Sequence, residues 1–283
     1  MPELPEVETV RRGLASRLQS FVIHDVDVLR DRAVASPGGP HALCLGLQGQ
    51  KVGHWSRRGK YLMAQLHEPQ TGTCNGVWGV HLRMTGQFQW HPTQTDPCRH
   101  TRVRLWNEQG HELRFVDMRS FGEMWFVPQH VPIDSVITGL QRLGPEPFSE
   151  EFNATYLQQK LRGSTRTIKA ALLDQAVVAG AGNIYADESL FASGIAPHRK
   201  AGELRLAELE RLCISLVHVL EISIGAGGTT FSDFRDLEGV NGNYGGQASV
   251  YRRTGQPCLV CGNPIERKRL GGRSSHWCSE CQS

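Results

Sequence analysis

The chain has 283 residues, with 31 Lys and Arg against 28 Asp and Glu for a net charge of +3. That length suits about two domains with a small appendage, and no apolar run approaches the ~18 residues of a membrane span. The start, Met1-Pro2-Glu3-Leu4-Pro5-Glu6, is acidic and lacks the apolar stretch of a secretory signal. Cys44, Cys74, Cys98 and Cys213 are scattered without spacing, as reduced thiols are, so a cytoplasmic location is expected. The small net charge argues little, but its clustering argues more. Arg57-Arg58-Lys60, Arg99-His100-Arg102-Arg104 and Arg162-Arg166-Lys169 raise the prospect of a polyanionic partner.

Residues 3–18 read as a helix, because Leu4, Val7, Val10, Leu14 and Leu18 recur at three- and four-residue steps and Pro5 suits a first turn. Strand-like segments follow at 21–28, 60–66, 78–84, 86–90, 101–107, 112–118 and 123–127. Val103 and Leu105 alternate with Arg102 and Arg104, which gives one apolar and one basic face. Six or seven such strands predict a sandwich or barrel. Prolines and glycines from Pro128 to Pro147 mark a linker. The pattern then turns helical at 150–162, 165–178, 184–193 and 203–224. Residues 225–247, rich in Gly and Asn, predict a long loop of the kind that often carries function.

The end of the chain carries the sharpest pattern. Cys258 and Cys261 form one C-x-x-C pair and Cys278 and Cys281 another, sixteen residues apart. This spacing fits a four-thiolate zinc site, two disulfides being the other reading. The intervening segment reads as a hairpin with Arg267, Lys268 and Arg269 on it and Gly271-Gly272-Arg273 at its tip. Such a basic finger suits phosphates. By contrast, Gly180-Ala-Gly182-Asn-Ile-Tyr-Ala186 matches the form of a dinucleotide fingerprint, but the run before it looks helical and no strand–helix alternation surrounds it. A loop of small residues opening a helix instead presents backbone N–H groups to a phosphate, with Asn183 either capping the helix or touching that phosphate.

Nine motifs stand in order along the whole chain: PELPEVETVRRGL from Pro2, SRRGKYL at 56–62, HLRMTGQF at 81–88, RHTRV at 99–103, DMRSFGEM at 117–124, LGPEPF at 143–148, AGAGNIYADESLF at 179–191, GGTTFSDF at 227–234 and GGRSSHWC at 271–278. Together they resemble the formamidopyrimidine-DNA glycosylase family, and PELPEVE favours its oxidised-purine branch. The resemblance implies an α+β chain. Residues 2–127 would be an N-terminal catalytic β-sandwich with a leading helix, 128–150 a linker, 151–248 a helix–two-turn–helix DNA-binding domain with a lesion-recognition loop, and 249–283 a zinc-finger β-hairpin holding one structural zinc. The implied activity is that of a bifunctional DNA glycosylase and abasic-site lyase of base excision repair. It would act as a monomer on damaged double-stranded DNA, excising 8-oxoguanine and formamidopyrimidines.

In that reading Pro2, exposed as the N-terminal residue by removal of Met1, is the nucleophile. Its α-amine titrates near ~7.7–8.0, so a useful fraction is unprotonated at neutral pH. Glu3 would transfer a proton at the sugar O4′, and Glu6 is a weaker candidate for orienting the amine. Lys60 would work at the lesion or its phosphate, and Arg273 would grip the phosphates flanking the extruded nucleotide. His100, Arg119, Arg162 and Asn183 map onto or near backbone contacts, with Arg162 outside any matching lysine run. Met84, Arg119 and Phe121 would fill the stack vacated by the flipped base. The chain departs from the family's commonest pattern at Arg83, where Gly is frequent, and at Met118-Arg119-Ser120, where Pro-Arg-Arg is frequent. The second departure is expected to loosen that turn. Two other readings share these features: an endonuclease-VIII-like enzyme for oxidised pyrimidines, and a zinc-ribbon DNA-binding protein without catalysis.

Overall fold

The structure is a computed structural model that describes residues 1–230 and 235–283. The chain divides into two compact units, Met1–Gln141 with Gly227–Asn243, and Arg142–Ala226 with Tyr244–Ser283.

In the first unit, helix α1 (Leu4–Arg17) puts Leu4, Val7, Val10 and Leu14 on one buried stripe, as the sequence predicts. Strand β1 (Asp25–Val28) and helix α2 (Gly39–Leu47) follow, and then β2 (Lys51–Arg58), β3 (Tyr61–His67), β4 (Cys74–His81) and β5 (Gly86–His91). Strands β6 (Thr101–Trp106), β7 (Glu112–Asp117) and β8 (Glu123–Pro128) and the short helix α3 (Ile133–Val136) complete the run. Two four-stranded antiparallel sheets, ordered β1-β6-β7-β5 and β2-β3-β4-β8, form the sandwich. An aromatic column crosses from one sheet to the other. Ring centroids lie 5.3 Å apart for Trp55 and Trp78, 5.9 Å for Trp78 and Phe88, and 5.4 Å for Phe88 and Phe115. All four side chains are buried, so truncating one to Ala would cost about 3–5 kcal/mol.

Three of these elements are absent from the sequence reading: α3, a single turn within the expected linker, and β2 and α2, each with a local cause. In β2 the register shifts between Val52 and Trp55, so its inward residues are three apart and period-2 alternation is broken. In α2 only Leu43 and Leu47 are buried while Leu45 points outward, so a nine-residue segment shows no clear stripe. The strand expected at 78–84 runs instead from Cys74 and stops at His81, where the chain turns into β5.

The first unit also contains a buried charge cluster. Glu112 is fully buried and bonds Arg104 Nε at 2.5 Å and Arg114 Nε at 2.7 Å. Burial opposes ionisation of Glu112, but the two guanidinium groups outweigh it and bring the carboxyl down to about 2. Because the folded value lies below the ordinary one, this stability is complete above about pH 4.5 and is lost as pH falls toward 2. Glu112→Gln leaves two cations without their counter-charge and is expected to cost about 3 kcal/mol at neutral pH. The wild-type advantage in urea unfolding should shrink by pH 3.

In the second unit, α4 (Ala154–Leu161), α5 (Ile168–Leu173), α6 (Asn183–Ala192) and α7 (Leu206–Gly225) precede the ribbon strands β9 (Glu266–Leu270) and β10 (Arg273–Trp277). The helix expected over 165–178 ends at Leu173. Asp174 Oδ1 takes the Ala176 N–H at 3.0 Å, and Gln175 turns its side chain onto Gly180 N (2.9 Å) and Ala181 O (2.8 Å). These local bonds compete with helix continuation and build the turn that opens α6.

Candidate active site and zinc centre

The start of α1 is held by one carboxylate. Glu6 Oε2 accepts the Glu3 N–H and Glu6 Oε1 the Thr229 N–H, both at 2.8 Å. Pro2, Glu3 and Glu6 are all buried. The Thr229 bond brings the segment after α7 back onto the first unit. Gly228 sits there at φ +78°, and a Cβ on it would lie 3.1 Å from Glu6, so this position needs glycine. Farther on, Leu237 packs into the sandwich core and Glu238 pairs with Arg17 at 2.7 Å. Of the GGTTFSDF motif, Phe231–Phe234 lie outside the described residues.

Lys60 is buried in the turn between β2 and β3, after Gly59 at φ +56°. Glu8 of α1 tethers that region by accepting from Arg57 of β2 (3.4 Å), and also accepts from its helix neighbours Arg11 (2.8 Å) and Arg12 (2.9 Å). Nearby, His81 is buried and its Nδ1 accepts the Arg83 N–H at 2.9 Å. Burial first, then the charges of Arg83 and Lys60, bring His81 down to about 3, so it stays neutral at physiological pH.

Arg83 adopts φ +53°, a conformation that favours glycine and accounts for the glycine frequent at this family position. Its guanidinium is held by Glu123 at 2.5 Å. Met84, the next residue, is half-buried. Ser120 also has φ +53°, between Arg119 and Phe121. Phe121 is 40% exposed, which removes it from the core, and the Arg119 and Arg32 guanidinium groups lie over its ring, 4.8 and 5.8 Å from its centroid. The turn is not loosened by Ser120: the Asp117 carboxylate accepts the Arg119 N–H (3.0 Å), the Phe121 N–H (2.9 Å) and the Gly122 N–H (2.7 Å). His100, half-buried, receives Arg99 Nε–H on its Nε2 at 2.9 Å.

The second unit carries the remaining candidates. Arg162 is exposed at the end of α4. Asn183 is the first residue of α6 and not its cap, which is Gly182. Its Nδ2 donates to Ser274 O at 3.1 Å, and its buried Oδ1 has no hydrogen-bond partner among the described residues. The β9–β10 hairpin turns through Gly271 (φ +53°) and Gly272 (φ +82°), two consecutive left-handed positions of a tight hairpin. Arg273 is exposed at its tip, beside a basic hollow lined by Arg267, Lys268 and Arg269. Arg273→Ala is expected to weaken binding to damaged DNA. The slope of log K against log salt should become shallower by about one phosphate contact, as a titration over salt would show.

The ribbon cysteines meet at one point. Sγ atoms lie 3.8 Å apart for Cys258 and Cys281 and 3.4 Å for Cys261 and Cys278, and all four fall within 4.8 Å of one another. A tetrahedral zinc with Zn–S near 2.3 Å sets sulfur separations of about 3.8 Å, whereas a disulfide would hold them at about 2.05 Å. All four thiols are free of disulfides. The set fits one structural zinc, and the Val260 N–H points to Cys258 Sγ at 3.4 Å as knuckle geometry requires.

Several basic residues counted in surface clusters turn inward. Lys169 is fully buried, 2.6 Å from Asp187 Oδ1 and 2.6 Å from Ser274 O, and Asp187 Oδ2 also accepts the His276 N–H at 3.0 Å. This network fixes β10 immediately beside Arg273. Arg104 is committed to the buried Glu112, whereas Arg166 stays exposed and pairs with Asp174 at the surface. Asp117 and Asp187 lie inside the motifs at 117–124 and 179–191, and Lys169 lies between motifs; nothing in their spacing marks them as supports for exposed loops.

Known proteins align with this chain throughout. Residues 1–124 match the formamidopyrimidine-DNA glycosylase N-terminal domain, 143–235 its H2TH domain, and 255–283 the zinc finger found in FPG and IleRS. The formamidopyrimidine-DNA glycosylases of Parasynechococcus marenigrum and Prochlorococcus marinus (strain MIT 9313) are 68% and 62% identical, with both chains covered in full. A Lactococcus lactis FPG mutant solved with Fapy-dG-containing DNA superposes with TM-score 0.90 at 32% identity, covering 100% of each chain. The Lactococcus lactis enzyme bound to abasic-site DNA gives 0.89 at 32%, covering 99% of each. With three domain matches in order and full-length relatives well above half identity, the chain belongs to the formamidopyrimidine-DNA glycosylase family.

Proposed function

We propose that this chain, a DNA glycosylase and abasic-site lyase of base excision repair, removes oxidised purines from double-stranded DNA as a cytoplasmic monomer, with the Pro2 amine as nucleophile. The observation that carries the reading is the clamp at the start of α1, where Glu6 fixes the backbone of buried Glu3 directly beside Pro2. After removal of Met1, the Pro2 nitrogen lone pair forms a bond to C1′ of the damaged nucleotide. The bond from C1′ to the base breaks, and the base leaves with the electron pair and takes up a proton. Glu3 protonates O4′ as the C1′–O4′ bond opens, which leaves an iminium between Pro2 and C1′. Loss of a C2′ proton then expels the 3′ phosphate, and a second elimination expels the 5′ phosphate. Lys60 assists at the sugar and its phosphate, and Arg273 holds the flanking phosphates. His100, Arg162 and Asn183 contact the DNA backbone. Zinc takes no part in these steps; Cys258, Cys261, Cys278 and Cys281 use it to shape the finger.

Extrusion costs a few kcal/mol of stacking and pairing. Met84, Arg119 and Phe121 offset that cost by entering the gap, and the exposure of Arg119 and Phe121 supports this role. Arg119 donates to the acceptor edge of an orphaned cytosine. One solved relative holds Fapy-dG DNA, in line with the purine reading, and another holds abasic-site DNA, in line with lyase action, while a third holds oxidised-pyrimidine DNA and favours a second substrate class. Borohydride trapping on duplexes carrying 8-oxoguanine, an abasic site or thymine glycol separates the two readings. Strong trapping on the first two and weak trapping on the third is the expected pattern. Preferential trapping on thymine glycol would reassign the chain to oxidised pyrimidines.

A further inference from the structure

We infer that Asp117 is the positioning residue that sets the extruding loop, tying together three segments that carry candidate DNA contacts. Asp117 is the last residue of β7 and is fully buried. Its Oδ1 accepts the Arg119 N–H at 3.0 Å and the Thr85 hydroxyl, and its Oδ2 accepts the Phe121 N–H at 2.9 Å and the Gly122 N–H at 2.7 Å. Thr85 is itself bonded from the Arg119 N–H at 3.1 Å. Its neighbour is Met84, so one carboxylate serves both the Met84 turn and the Arg119–Phe121 turn. The main chain of Asp117 holds the third segment. Its N–H donates to His100 O at 2.9 Å, and its carbonyl accepts Arg102 Nε–H at 2.7 Å.

The packing around the carboxylate leaves little freedom. At Gly122 a Cβ would sit 2.5 Å from Phe115 Cζ and 3.1 Å from Asp117 Oδ2, so the backbone of the turn is pressed against its anchor. Ser120, held in a left-handed conformation at φ +53°, has an intrinsic preference to relax elsewhere. Three N–H bonds to one buried carboxylate oppose that relaxation, and charge-assisted bonds of this kind are about twice as strong as neutral ones. An ordered turn keeps Arg119 and Phe121 poised before DNA arrives, so less conformational freedom is lost when a base is expelled.

This inference rests on the wedge role proposed above, and the test is arranged so that the two can fail separately. Asp117→Asn keeps the shape but turns an NH2 group toward donors that need an acceptor, so at least one oxygen's bonds are lost. Amide exchange in the peptide 118–123 should accelerate about tenfold while other segments keep their protection. Excision of 8-oxoguanine opposite cytosine should slow by about 30-fold, and cleavage of a ready-made abasic site by less than about threefold. Thr85→Val, which removes only the hydroxyl, should shift both readouts the same way by less, and Thr85→Ser should restore them; this pair serves if Asp117→Asn does not fold. Unchanged exchange in Asp117→Asn and Thr85→Val would overturn the positioning role and leave the wedge intact. Faster exchange with both substrates cleaved at wild-type rates, or slowed equally, would show that Asp117 orders a turn with no part in extrusion, and would remove the wedge role as well.

Discussion

A chain whose N-terminus is blocked by a retained tag is expected to lose 8-oxoguanine excision by on the order of a thousandfold or more, because the nucleophile itself is removed. Pro2→Gly should keep an amine but lose the conformationally fixed secondary one, and borohydride trapping should fall strongly with it. Burial and hydrogen bonding explain why the effect should be specific. Glu6 spends both carboxylate oxygens on the backbone N–H groups of Glu3 and Thr229, so the Glu3 backbone is anchored whatever stands at position 2. Variants at Pro2 should therefore melt within about 1 kcal/mol of the parent while failing in chemistry. The pH dependence has a definite sign. An amine titrating near ~7.7–8.0 is mostly protonated at pH 7, and the nucleophilic fraction rises as pH rises through that value. Single-turnover excision at saturating enzyme should therefore climb between pH 6.5 and 8 and flatten above. The covalent adduct, digested and mapped, should carry the sugar on Pro2. An adduct mapped to Lys60 with Pro2 free would move the nucleophile to the β2–β3 turn and sink the assignment.

The parts of this fold that announce themselves in sequence are those governed by short-range periodicity. The α1 stripe from Leu4 to Leu14, the alternation of Val103 and Leu105, the Gly271-Gly272 tip and the paired cysteines each follow from residues no more than four apart. The parts that stay hidden are set by partners distant in sequence. Trp55 faces inward because a bulge after Val52 shifts the register, and the single Gly53 there is the one local sign of it. Leu237 belongs to the sandwich core, although it follows the helices by more than ten residues and sits in a stretch that reads as polar loop. Lys169 counts as surface charge until Asp187 supplies its buried partner. Asp117, at a strand end before Met-Arg-Ser, reads as an ordinary turn acid; its role emerges only when Thr85 and the 119–122 amides converge on it. Candidate residues are thus legible through motif resemblance, while the residues that hold them in place are not.

Replacing Cys278 by Ala is expected to drop bound zinc from about one per chain to near zero and to disorder the ribbon. The reason lies in the size of its core. Among the described residues, Val250, Cys258, Ile265 and Cys278 form the buried cluster there, with the partly buried Phe191 and Cys281 packed against it, and a segment below about 40 residues rarely folds on apolar burial alone. A structural zinc supplies roughly 10–16 kcal/mol of folding free energy in isolated fingers, far more than this cluster can. Loss of the metal should release β10, withdrawing the Ser274 carbonyl from Lys169 and Asn183 and the His276 N–H from Asp187. The buried Lys169 and Asp187 would then lose these bonds to β10, so unfolding of the second unit should begin earlier. The sandwich has its own core and should retain its far-ultraviolet signal and melting transition. Arg273 would lose its fixed place at the tip, and affinity for damaged DNA should fall by more than the single-contact loss of Arg273→Ala. Metal analysis, exchange protection of 249–283 and binding titrations on the same preparation decide the matter. A variant that holds no zinc yet protects its ribbon amides and binds damaged DNA as tightly as the parent would show that the four thiolates are not what folds the finger.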